Sequence, residues 1–202
     1  MNHFIMTTGW HIDAKQEIDI GDIHIQPYAI THDFPLDKIY IGIDPGSRNM
    51  GLTILSDTVS MSFEIKYPPE KDAVKRILKI YTTTKLCFYY VFDKGIKQKI
   101  CAVIEGSSFG DPYGQSTLAD ARTAAFLSIY EIADREHYDC QAKYIPPQSI
   151  RKQVFGSAKI KGEEVWKDQL PPDAASSLVC AICAAFQSQQ TPVKPPAHEM
   201  KS

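Results

Sequence analysis

Three acids stand where an apolar stretch gives way to a polar one. Asp44 directly follows the apolar run 39–43, Glu105 follows the run 100–104, and Asp173 comes straight after Pro171-Pro172 at the start of a further apolar segment. A carboxylate at the end of a buried strand is held on a rigid support and faces the crevice beyond the strand ends, where α/β folds bind ligands. Carboxylates gathered in one crevice repel one another unless a hard cation lies among them, and Mg²⁺, which prefers oxygen ligands and keeps some of its waters, fits such a set. Two such ions roughly 4 Å apart can activate a water and stabilise the leaving oxygen of a phosphodiester. The plainer alternative is that each acid caps a turn or a helix. An acid placed directly after each of two apolar strands argues for a shared site.

The elements that must hold these acids follow from the apolar pattern. Ile39 to Ile43 reads as a buried strand, followed by the turn Pro45-Gly46-Ser47 and two further strands over 51–56 and 59–66. A helix is predicted from Glu70 to a glycine cap at Gly95, on the period of Val74, Ile77, Leu78, Tyr81, Phe88 and Phe92. A strand over 100–104 comes next, then a loop over 106–114 and a helix from Thr117 to His137, with Thr117 and Asp120 as a capping pair. A strand over 141–145, a short helix over 149–155 and a last helix from Asp173 to Gln187 complete the order. The expected fold is α/β, a mixed five-stranded sheet flanked by helices. Ahead of it, Glu17-Ile18-Asp19-Ile20, Gly21-Asp22 and Ile23-His24-Ile25-Gln26 predict a β-hairpin. Pro27, the stretch 32–35 and Asp37 interrupt that pattern, which sets a boundary near residue 38. The expected organisation is an acidic extension over 1–38, a main domain over 39–190 and a disordered proline-containing tail over 191–202.

The 202 residues are 44% hydrophobic and 23% charged, values of a globular domain rather than a disordered chain. A net charge of −2 speaks against a nucleic-acid partner only until it is divided. Residues 1–38 hold six acids against two bases, so the remainder is net basic, with its bases gathered in 71–99 and 143–167. Such stretches suit a phosphate backbone or a solvated helix face. The five cysteines are an odd number with no basic-then-apolar leader before them, pointing to a reducing, intracellular compartment. Cys180 and Cys183 lie in an apolar run without a second pair and are expected in the core, and His11, His24 and His32 lack ligand spacing and are expected as scattered surface residues. No run approaches the ~18 apolar residues of a membrane span.

Ile41-Gly42-Ile43-Asp44-Pro45-Gly46-Ser47-Arg48-Asn49-Met50-Gly51 resembles the opening motif of the RuvC-type Holliday junction resolvases, a branch of the RNase H-like nucleases. Further features resemble that family in order. They are Ala102-Val103-Ile104-Glu105, Asp120-Ala121-Arg122, the stretch from Tyr144 to Lys152, Gly156-Ser157-Ala158-Lys159 and Asp173-Ala174-Ala175-Ser176-Ser177-Leu178. Together they span about residues 39–187. The resemblance implies a metal-dependent endonuclease that resolves four-way or branched DNA by paired phosphodiester hydrolysis. It implies Asp44, Glu105 and Asp173 as catalytic metal ligands for two Mg²⁺ ions, with Mn²⁺ able to substitute, in a homodimer of the cytoplasm or nucleoid. Arg48, Arg151, Lys152, Lys159 and Lys161 correspond to phosphate contacts, and Ser108 and Phe109 to the loop that meets the crossover, where an aromatic ring stacks on a base. Arg122 is expected to tie its helix to that loop. The last motif departs from the family, because Ser176 stands where a second acid is usual. A serine one helical turn after Asp173 faces the same way and offers a hydroxyl without charge. Two alternatives remain open at this point: an RNase H-like nuclease for branched DNA or RNA–DNA hybrids, and a junction-binding protein of weak activity. An actin-like ATPase, which shares a strand ending in Gly-Ile-Asp, would need a second Gly-rich phosphate loop that this sequence lacks.

Overall fold

The computed structural model describes residues 10–33, 35–92, 98–106, 115–137 and 139–189. The expectations for Gly95, Ser108, Phe109 and the tail fall outside these residues. Strands β1 (Trp10–Ala14), β2 (Ile18–Ile20) and β3 (Ile23–His32) precede the meander β4 (Ile39–Asp44), β5 (Asn49–Leu55) and β6 (Ser60–Lys66). Then follow α1 (Ala73–Val91), β7 (Ile100–Glu105), α2 (Gln115–Arg135), β8 (Cys140–Ile145), α3 (Pro147–Phe155), α4 (Gly162–Val165) and α5 (Pro172–Gln189).

The mixed sheet expected from the sequence is present as β6-β5-β4-β7-β8, antiparallel through β4 and parallel from β4 to β8. Its central strands are apolar on both faces because both faces are covered. Ile39, Ile41 and Ile43, with Met50, Leu52 and Ile54, pack beneath α1 and α2, whereas Tyr40, Leu55, Cys101 and Val103 pack beneath α3 and α5. Cys180 and Cys183 are buried in this second layer, as expected for core cysteines. No helix among the described residues is long and apolar enough to cross a membrane.

The hairpin lies where the alternation placed it, with β2 and β3 joined through Gly21-Asp22 and Gly21 at φ +64°. Pro27 does not end β3, contrary to expectation. The Pro27 carbonyl accepts from Lys15 N at 2.8 Å, on the side away from β6, so the amide that proline lacks would also have faced away from β6. β3 therefore stays paired to β6 from His24–Lys66 to Ile30–Ser60 and extends the sheet, with β1 and β2 side by side along its outer edge.

Two helix starts differ from expectation for local reasons. α1 begins at Ala73 because the Asp72 carboxylate accepts from Val74 N (2.9 Å) and Lys75 N (3.1 Å), while Glu70 accepts from Asp72 N (3.0 Å) ahead of the helix. α2 begins at Gln115, so Thr117 and Asp120 lie inside it, and Asp120 is paired to Arg76 of α1 at 2.6 Å.

α5 approaches the strands beneath it backbone to backbone. A Cβ on Gly42 would overlap the Ser177 carbonyl oxygen and the Ala181 amide nitrogen, and one on Gly51 would overlap the Asp173 carbonyl. These are backbone atoms that cannot swing aside. Gly42→Ala is expected to lower stability by about 3 kcal/mol or more, read as a fall in the urea midpoint. Gly21→Ala, strained only in its backbone angle, should cost about 1 kcal/mol. Equal midpoints for Gly42→Ala and the parent would show that α5 does not sit directly on β4.

Candidate active site at the sheet edge

Asp44 and Glu105 end adjacent parallel strands, and the register Ile43–Ile104 places both carboxyls at the same sheet edge. Along β4 the residues facing α1 and α2 are 39, 41 and 43, so Asp44 falls on the opposite face with Tyr40 and Gly42, beneath α5. Glu105 shares that face by the same alternation, following Cys101 and Val103. Asp173 reaches them from above, because Gly51, the β5 partner of Asp44, lets the first turn of α5 settle onto the sheet. The sequence-predicted acids are thus brought to one place by three different elements.

Their electrostatics carry the mark of crowding. Asp44 is held well above the ordinary carboxyl range, first by burial and then by the charges of Glu105 and Asp173; a hydrogen bond donated by the Ser176 hydroxyl and the charge of Arg151 act in the opposite direction. Burial raises Glu105 as well, and Arg151 and Arg122 lower it. Asp173 is raised by burial and by Glu64, with Lys66 opposing. The donors available here are carboxylate and hydroxyl oxygens, the chemistry preferred by Mg²⁺ or Mn²⁺ rather than by a soft thiolate-seeking metal. The residues present therefore fit a hard divalent cation.

The other expected residues divide into two groups. Arg48 is exposed in the turn after Asp44, Arg151 lies near enough to bias both Asp44 and Glu105, and Lys152 and Lys159 are exposed on and just after α3. Lys161 is engaged locally, its ammonium 3.0 Å from Glu163 and its backbone amide donating to Glu164. Arg122 ties α2 to the end of β7 and the residue after it, donating to the carbonyls of Glu105 (3.0 Å) and Gly106 (3.1 Å), while the rest of the loop lies outside the described residues. Four of the eight bases of the earlier stretch are in ion pairs, Arg76–Asp120, Lys79–Asp22, Lys85–Glu131 and Lys99–Asp139, while Lys71 and Lys75 are exposed and Lys94 and Lys97 fall outside the described residues.

Three features escaped the sequence reading. Glu64 of β6 stands beside Asp173 and pairs with Lys66 at 3.0 Å. Its signal was the polar phase Ser60, Ser62, Glu64 in an otherwise apolar strand, the phase that faces α5. Beneath α5 a hydroxyl chain runs Ser62–Thr53 (2.7 Å) and Thr53–Ser177 (2.8 Å), with Ser177 and Ser62 both donating to the Ala174 carbonyl. His24 is not scattered, for the β2–β3 register sets it against Asp19, its Nδ1 2.6 Å from the carboxylate, with Glu17 alongside. This exposed trio is the one group among the described residues whose potential ligand atoms already lie within 4.8 Å of one another. The carboxylates at the sheet edge are spread more widely.

The chain is similar in structure to Thermus thermophilus RuvC, at 18% identity and a TM-score of 0.50, over 75% of this chain and 95% of that one. It is likewise similar to T. thermophilus RuvC in complex with a Holliday junction substrate, at 17% identity and a TM-score of 0.52 over the same shares. No protein-family model and no curated protein matches the sequence. The fold is that of the RuvC-type, RNase H-like proteins.

The raised carboxyls have a consequence for stability without metal. An acid whose folded pKa lies above its unfolded one binds more protons in the native state, so stability falls as pH rises from the ordinary carboxyl value through the raised one. Asp44→Asn removes one member of the crowd. At neutral pH and in chelator it is expected to raise stability by on the order of 1 kcal/mol, roughly 2–4 °C in Tm, and to flatten the decline above about pH 4. A Tm lowered at neutral pH would show that Asp44 is stabilised by its surroundings instead.

Proposed function

We propose that this chain is a metal-dependent endonuclease that nicks four-way or branched DNA, with Asp44, Glu105 and Asp173 as its metal-holding carboxylates. The observation that carries the reading is the convergence of three crowded carboxyls at one sheet edge, on a fold similar to that of RuvC. Divalent cations bound there would supply water activation and neutralise charge developing on the phosphodiester.

The protein's own contributions follow from position. Asp44 and Glu105, on rigid strand ends, hold their oxygens in fixed relation, and Asp173 closes the set from the helix above. The Ser176 hydroxyl orients the Asp44 carboxylate by donating to it. Arg151 lies against the same acids and is placed to meet a phosphate oxygen as it enters, while Arg48, Lys152 and Lys159 flank the opening and hold the strand by its backbone charge. α3 starts immediately after β8, so its first turn leaves the sheet at the edge that carries the carboxylates, and Arg151 lies near Asp44 and Glu105.

Paired nicks require two sites, and a homodimer would supply them. Leu127, Tyr130 and Tyr144 are exposed on α2 and the edge strand β8, with the Phe126 ring 4.6 Å from Tyr130 and 5.2 Å from Tyr144. This apolar surface is available to a second copy. Ser176 favours a second reading, a junction-binding protein that cuts slowly, because it removes a charge from the position where the family carries an acid.

With Mg²⁺, purified protein is expected to nick a synthetic four-way junction at symmetric positions on opposing strands. Asp44→Asn should reduce cutting more than about 10²-fold with junction binding retained, since removing a ligand costs more than removing its supporting partner. Ser176→Asp should raise the rate if the missing charge limits it. Equal cutting of linear duplex or RNA–DNA hybrid would point to a general nuclease, and tight binding with no cutting at any Mg²⁺ concentration to the junction-binding reading.

A further inference from the structure

The strand register aligns a row of residues across the sheet at its carboxylate edge. Glu64 pairs with Gly51, and Gly51 with Asp44, which neighbours Glu105 across the parallel pair. Directly opposed residues point to the same face, so Glu64, Asp44 and Glu105 all face α5. Gly51 is the gap in this row, and the Asp173 backbone sits where a Cβ of residue 51 would be. Asp173 therefore lies between Asp44 on one side and Glu64 on the other. With strands 4.7–4.9 Å apart, the backbones of Glu64 and Asp44 are about 10 Å apart, within the combined reach of their side chains and the Asp173 carboxyl between them.

Resting on the nuclease reading above, we propose that Glu64 is the fourth carboxylate of the metal site, supplied from β6 in place of the acid that Ser176 does not provide. Its side chain is only 12% exposed, an unusual position for an acid whose sole purpose is an ion pair with a lysine that is itself 57% exposed. Ser176 and Glu64 then divide one task. The hydroxyl orients Asp44 from the helix, and the carboxylate restores the negative charge from the sheet, beside Asp173 rather than one turn along from it. Lys66 shields Glu64 while the site awaits a cation and gives way to solvent when the carboxylate turns inward.

The test measures metal binding apart from cutting. Mn²⁺ is titrated calorimetrically into the full-length protein without DNA, in a background carrying E17Q and D19N so that the exposed trio near His24 does not contribute. E64Q is expected to weaken Mn²⁺ binding about tenfold, E64D to weaken it less, and K66Q to leave it equal or tighter. In junction cutting, E64Q should raise the half-saturating Mg²⁺ concentration by a similar factor, with most of the rate recovered at high Mg²⁺. Unchanged Mn²⁺ affinity in E64Q, where D44N abolishes it, would overturn the role of Glu64 and leave the nuclease reading standing. Equal weakening by E64Q and K66Q would also overturn it, since the ion pair and not the carboxylate would then matter. Loss of Mn²⁺ affinity in E64Q, in a parent that binds Mn²⁺ but cuts no nucleic acid, would uphold Glu64 as a ligand and reject the nuclease reading.

Discussion

α5 can lie directly on β4 and β5 only because residues 42 and 51 have no side chain, and the site depends on that contact. The two glycines allow helix backbone to meet strand backbone, which is closer than any pair of side chains would permit. This proximity places Asp173 between strand acids and puts the Ser176 hydroxyl within hydrogen-bonding reach of Asp44. The hydroxyl chain Ser62–Thr53–Ser177 adds direction to the contact. Buried hydroxyls need partners, and here the Ala174 carbonyl in the first turn of the helix is one of them, so the helix is tied at the end that carries its acid.

A sheet that gathers like charges at one edge must be stable for other reasons. Its stability comes from both faces being covered by apolar layers, with the central strands buried throughout. The N-terminal strands contribute to this. By pairing β3 with β6 they move the open edge of the sheet away from the strand that bears Glu64. Their acidic character is partly matched inside the molecule, where Asp22 pairs with Lys79 of α1.

Much of this was legible in the order of residues. The continuous apolar runs ending in Asp44 and Glu105 announced buried strands with acids at their tips, and the motif around Asp44 carried a resemblance specific enough to indicate the fold. What was not legible depended on pairing across the sheet. Pro27 reads as a strand breaker in isolation, and only the direction of its carbonyl shows that no bond to β6 is lost. The alternation Ser60, Ser62, Glu64 marks a polar phase of β6, but not that Glu64 lies two strands from Asp44 across a glycine, which only the register shows. The pairing of Asp120 with Arg76 likewise joins two helices 44 positions apart, a relation that no local capping rule contains.

Anomalous scattering from crystals soaked in Mn²⁺ decides whether the row of carboxylates beneath the start of α5 holds divalent cations. Density touching Asp44, together with Glu105 or Asp173, is the expected result. Density confined to Glu17, Asp19 and His24, with none at the sheet edge in an otherwise ordered site, would contradict it.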